Sequence, residues 1–202
     1  VAKSERSHFL LGVCIIFIAA FILLGMISFF FTGAADQSKV INKSFLELIS
    51  HKQEIANWTG VGGAFIAERL INEYFGVFSL IIPVFIIFVG ARLMRVTSIS
   101  ILRSFLICSF ILIWGSITSS FVFTRFLGNS HICWGGSHGQ VIERTLEAAM
   151  GNPGVLMANI LLSIPLAVIT KKTSVTLFRK LFCMTFITKT QELVTDEDMY
   201  IE

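Results

Sequence analysis

Trp58-Thr59-Gly60-Val61-Gly62-Gly63 and Trp134-Gly135-Gly136-Ser137-His138-Gly139 are two copies of one pattern, Trp-x-Gly-x-x-Gly. Each copy is followed, twelve residues after its tryptophan, by a leucine, Leu70 or Leu146. An amphipathic stretch then runs to a glycine, Gly76 or Gly151, before the next apolar run. Two copies at matching places between apolar runs indicate a duplicated helical hairpin. Such a duplication points to a scaffold rather than to a reaction centre.

The flanking segments are too apolar for a water-soluble fold. Of 202 residues, 54% are hydrophobic and 14% charged, and twenty are phenylalanine. A soluble domain of this size could not cover that surface, so the solvent is lipid. Four runs are long enough to cross a hydrocarbon layer of about 30 Å. They are residues 9–31, 77–94, 99–123 and 154–170, joined by outer loops 32–76 and 124–153. The first resembles an uncleaved signal anchor, being too long for a signal-peptide core and lacking a cleavage site. The expected fold is therefore all-α and polytopic, with four transmembrane helices and amphipathic outer-surface helices.

Basic residues set the orientation. Lys3 and Arg6 lie in the amino-terminal segment 1–8, Arg92, Arg95 and Arg103 crowd the short second connection, and Lys171, Lys172, Arg179 and Lys180 follow the fourth run. The outer loops dilute Lys39, Lys43, Lys52, Arg69, Arg125 and Arg144 among acids. Both termini are expected in the cytoplasm. Segment 171–190 reads as a cytoplasmic amphipathic helix, since Arg179-Lys180 at the centre of 175–187 would oppose insertion. Residues 191–202, with Asp196-Glu197-Asp198, read as the start of an acidic linker. A chain beginning at Val1 reads as trimmed or as a fragment.

The outer segments carry helical periodicity. Ile41, Phe45, Leu48 and Ile49 recur on one face. Ala64, Phe65, Leu70, Ile71, Tyr74 and Phe75 oppose Glu68, Arg69, Asn72 and Glu73. In the second copy Val141, Ile142, Leu146, Ala149 and Met150 oppose Gln140, Glu143, Arg144 and Glu147. Helices of this kind lie at the membrane surface or lean on the bundle.

Chemistry is thinly represented. Gly-Lys occurs nowhere, which excludes a G-x-x-x-x-G-K-[ST] phosphate loop within these residues, and H-E-x-x-H does not occur either. Transport would call for polar groups at membrane depth, and the spans offer little beyond Asn159 and the serines and threonines of the third. His131, Cys133 and His138 could supply three metal ligands, but their spacing lacks the tight pairs of zinc sites. Cys14, Cys108, Cys133 and Cys183 are scattered, as isolated thiols rather than a disulfide framework. Asn42-Lys43-Ser44 and Asn57-Trp58-Thr59 match glycosylation sequons, a pattern common by chance.

Trp58 and Trp134 read as interfacial anchors, and Gly60, Gly63, Gly136 and Gly139 as turn and close-contact positions that fold each outer segment back onto the bundle. A partner-binding role is the alternative for this edge. Valine at Gly63 or Gly139 is expected to disturb assembly more than phenylalanine at Trp58. Gly115, Ser116, Ser119 and Ser120 put small residues at four-residue steps in the third span, suited to close helix packing within the chain or between subunits.

Asn57 to Ala64, Phe75-Gly76, Pro83, Trp134 to Gly139, Leu146, Gly151 and Gly154, in that order, resemble the amino-terminal four-span domain of bacterial FtsK/SpoIIIE-type DNA translocases. The resemblance covers roughly residues 9–170. It implies an inner-membrane protein of the division septum, and a cytoplasmic hexameric motor beyond this chain that uses ATP and magnesium to move double-stranded DNA in chromosome segregation. No cofactor or catalytic residue is implied within the chain itself. Implied partners are the lipid bilayer, further copies of the chain and other divisome membrane proteins, with DNA reached only through the motor. The implied role is membrane anchoring and oligomerisation; the alternatives are a small transporter or channel subunit, or a divisome scaffold without a motor.

Overall fold

The computed structural model describes residues 2–50, 54–98, 100–126 and 131–170, and every element among them is helical. Helix α1 is Ala2–Val40, α2 Phe45–Ser50 and α3 Gly60–Ala67. A π-helix, Glu68–Phe75, and a 3-10 turn, Gly76–Leu80, lead into α4, Ile81–Leu93. Helices α5, Ile101–Phe126, and α6, Gly136–Thr170, complete the order. Four helical stretches are long and apolar enough to cross a membrane: Glu5–Val40, Gly60–Leu93, Ile101–Phe123 and Gly136–Val168. Among the described residues the chain is thus all-helical, with four candidate spans. The expected helix at 175–187 and the linker at 191–202 lie outside the described residues.

The chain divides into two compact units at Ile160. The second unit, as described, is helix through Thr170. The first contains both Trp-Gly motifs and the packed core.

Helix α1 continues beyond its apolar run because Ala34-Ala35-Asp36-Gln37-Ser38-Lys39 contains no helix breaker. It ends at Asn42, whose φ of 58° turns the chain. Ser44 and Glu47 then start α2 as a reciprocal cap: the Ser44 N–H donates to Glu47 Oε2 (2.8 Å) and the Glu47 N–H to Ser44 Oγ (3.3 Å). Leu48 is the buried residue of α2 and joins Val40 and Ala64 in a small core, while Phe45 and Ile49 stay exposed.

Helices α1 and α4 pack closely where glycine meets glycine. A Cβ on Gly12 would stand 2.7 Å from the Gly90 carbonyl oxygen, and one on Gly90 2.8 Å from that of Gly12. Small residues permit such backbone approach between spans. At the same end Arg95, with φ of 60°, reaches back to Glu5 at 2.7 Å. The start of α1 and the end of α4 therefore lie together.

Helices α5 and α6 are joined at Asn159. Trp114 Nε1 donates to the Asn159 carbonyl oxygen (3.2 Å), Thr118 Oγ1 donates to Asn159 Oδ1 (2.8 Å), and Asn159 Nδ2 donates to the Val155 carbonyl (3.0 Å). The polar residue expected in the fourth run is thus satisfied inside the bundle. Elsewhere the helices present Phe9, Leu10, Phe17, Ile18, Leu102 and Leu106 outward, as a lipid solvent requires.

Candidate functional site

The two Trp-Gly corners share a backbone design. In each, the N–H of the glycine two residues after the tryptophan donates to the carbonyl of the residue before it. Gly60 donates to Asn57 (2.8 Å) and Gly136 to Cys133 (2.9 Å). Those glycines have φ of 65° and 63°, a conformation that disfavours a side chain. The closing glycines match too: Gly76 has φ 72°, ψ −153°, and Gly151 has φ 67°, ψ 178°. The duplication read from sequence is therefore also a duplication of turn geometry.

The first corner is fastened to α1. Asp36, buried, accepts the N–H groups of Ala56 and Asn57, each at 2.8 Å. Asn57 Nδ2 donates to the Gly25 carbonyl (2.9 Å), and Asn57 Oδ1 accepts from the Thr59 N–H (3.0 Å) and hydroxyl (2.9 Å). The Trp58 N–H donates to Ser28 Oγ (2.9 Å). The indole itself stays 59% exposed and stacks on exposed Phe31, with ring centres 5.7 Å apart.

The second corner is fastened to α5. Ser116 Oγ donates to the Gly135 carbonyl (2.5 Å), and Ser119 Oγ donates to the Trp134 carbonyl (3.1 Å). A Cβ on Gly135 would stand 2.6 Å from the Ser116 carbonyl oxygen, and one on Gly139 would fall on the same atom. Gly115 packs against the Phe78 ring, and Ser120 is fully buried. The small-residue stripe of the third span thus lies beneath the 134–139 segment of its own chain. Trp134 stacks on Phe123 at 4.8 Å.

Valine at Gly63 or Gly139 collides within the chain, at Thr59 and Asn57 in the first case and at Ser116 in the second. Overpacking of this kind costs roughly 1–3 kcal/mol or more. The expected primary result is a fall in folded, monodisperse protein on size exclusion after membrane extraction. Trp58→Phe, which keeps a ring over Phe31 at an exposed site, should extract like the parent chain. Equal recovery of all three variants would contradict these contacts.

The hairpins meet at Asn72. Its Oδ1 accepts the Cys133 N–H (2.7 Å), and its Nδ2 donates to Glu68 Oε2 (2.9 Å) and to the His131 carbonyl (3.2 Å). Beside it the Val77 N–H donates to the Trp134 carbonyl (3.0 Å). Gly76 and Gly136 face each other so closely that a Cβ on either would strike backbone of the other hairpin. His138 packs against Tyr74 (5.7 Å) and Phe75 (5.1 Å), and no group of three or more potential metal ligands gathers among the described residues. Met26, Phe29, Ala67, Ile71 and Ile132 form the core below.

This junction revises the amphipathic reading in two places. Glu68 and Asn72, placed on a solvated face by periodicity, are buried, with Glu68 only 2% exposed. The first hairpin also carries a π-helix, whose wider turn takes up one extra residue relative to α-helix. That residue is visible in the sequence, because Gly76 stands eighteen positions after Trp58 while Gly151 stands seventeen after Trp134. In the second copy Glu143 is buried, whereas Val141 is 63% and Met150 53% exposed. The apolar stripe of that helix faces outward.

A cleft of about 660 Å³ opens beside the junction, lined by Glu68, Arg69, Glu73, His131, Gln140 and Arg144 among others. Arg69 and Glu73 pair across its wall. Burial pushes the Cys133 thiol up from its ordinary value, so it stays protonated and weakly nucleophilic at neutral pH. Asp36, Gly25, Ser28 and Asn72 are the supporting residues that sequence reasoning did not single out. The lone acid Asp36 after a helical apolar run was the available signal.

Two motif-bearing hairpins, each with a corner fastened to a long apolar helix, define a multi-pass membrane domain. Residues 4–182 match the family model described as the 4TM region of DNA translocase FtsK/SpoIIIE, and the chain belongs to that family. This region is the membrane part of such translocases, not their catalytic domain. Comparison with curated proteins and with solved structures returned no match.

Proposed function

We propose that this chain anchors and assembles a septal DNA translocase: it holds a cytoplasmic ATP-driven motor at the bacterial inner membrane and gathers several copies into one assembly. The observation that carries this reading is the family match over residues 4–182. The charge distribution supports the orientation. Glu5 and Arg95 bring the start of α1 together with the basic α4–α5 connection, and clustered arginine and lysine mark a cytoplasmic face. Anchoring follows from physics, since four spans make insertion effectively irreversible. Association with other division proteins belongs to the same proposal, with the exposed corner at Trp58 and Phe31 as one surface available to them.

The test has two parts. The coding sequence downstream of Glu202 should contain G-x-x-x-x-G-K-[ST], and the chain fused to a fluorescent protein should concentrate at the septum of dividing cells. An immediate stop codon, or uniform membrane fluorescence, would overturn the reading.

A further inference from the structure

The duplicated hairpins leave one interface made and its counterpart open. Inside the chain, the closing glycine of the first hairpin, Gly76, docks on the corner of the second at Trp134 and Gly136. The same two surfaces recur with the roles exchanged, and there they have no occupant. A Cβ on Gly60, the equivalent of Gly136, would have nothing within 4 Å, and a Cβ on Gly151, the equivalent of Gly76, would meet only Pro153 Cδ at 3.7 Å. Gly62 occupies the place that His138 holds in the second corner, and it too faces open space. Where His138 packs on Tyr74 and Phe75, the counterparts Ala149 and Met150 are exposed, along with Val141 and Ile142.

We propose that the Gly151 end of one copy docks on the Trp58–Gly62 corner of a second copy, repeating between chains the contact that Gly76 makes with Gly136 within one. The occupant follows from the duplication. Two matching backbone geometries have already shown that they fit, and each chain carries one unfilled copy of each. The contact is heterologous, a corner on one copy meeting a helix end on the next, so it repeats into a closed ring or an open chain according to its rotation. This inference rests on the self-association proposed above and assigns it a surface.

The test is made on the whole chain in native membranes, with the native cysteines replaced by serine. Two differently tagged copies, one Gly62→Cys and the other Ala149→Cys, are co-expressed and oxidised. The expected product is a disulfide-linked band carrying both tags, with neither variant linking to itself. Absence of that band, or equal linking of Gly62→Cys with itself, overturns the interface. Native mass spectrometry of the same extract separates the two levels. Multimers without the mixed band leave self-association standing and refute this surface; single copies alone refute both. A second variant, Gly62→Trp, adds a side chain where the lone chain has room. It should reduce the multimer at least tenfold with thermal unfolding unchanged. An unaltered multimer would mean that lipid, not a second copy, covers this corner.

Discussion

Gly76→Ala and Gly136→Ala are each expected to destabilise the chain by roughly 3 kcal/mol, far more than alanine at Gly62. Two costs combine at each position. A side chain at φ 63° pays about 1–2 kcal/mol, and Gly76, with ψ −153°, lies in a region essentially restricted to glycine. Each new methyl group also meets backbone of the opposite hairpin, the Trp134 carbonyl from Gly76 and the Tyr74 carbonyl from Gly136, which forces the hairpins apart. Gly62→Ala is the internal control. It sits in α3 facing open space and should be neutral or gain roughly 0.5–1 kcal/mol from helix propensity. Thermal unfolding in detergent micelles makes the comparison. Because both alanines attack one contact, the double variant should cost less than the sum. If Gly136→Ala unfolds no earlier than Gly62→Ala, the close approach does not exist.

Asn72→Leu is the second substitution with a large expected effect, about 3 kcal/mol or more. It keeps side-chain volume and removes three hydrogen bonds, two of which join the hairpins. Left behind are a Cys133 N–H, a His131 carbonyl and a Glu68 carboxyl in a buried site, and stranded polar groups cost roughly 1–3 kcal/mol each. Asn72→Asp separates geometry from charge. It retains an acceptor for Cys133 but turns the donor into a second carboxylate oxygen facing Glu68. Both variants should expose Cys133 to maleimide labelling in membranes as the junction opens. Parental labelling rates in both would show that the junction survives without Asn72.

The hairpin duplication and four apolar runs were legible because each is written in local chemistry. Hydropathy follows from composition over twenty residues, and glycines needing positive φ recur at fixed distances from tryptophan. The burial of Glu68 and Asn72 was not legible, because their polarity placed them on the solvated face, and the groups that Asn72 bonds, on His131 and Cys133, lie far along the chain. What Asp36 bonds was likewise hidden. It lies twenty residues before the N–H groups it accepts, and nothing near it in the chain announces them.

By itself, then, the sequence determined the helical class, the four candidate spans and the paired corners, because periodicity and glycine geometry act over short stretches. The tertiary structure alone decided which corner is occupied. The contact of Gly76 with Gly136 joins residues sixty positions apart, and its asymmetry arises only when one hairpin covers the other. Two equivalent motifs in one chain cannot both be covered by a single neighbour, so folding buries one corner and leaves Gly60 and Gly62 facing outward.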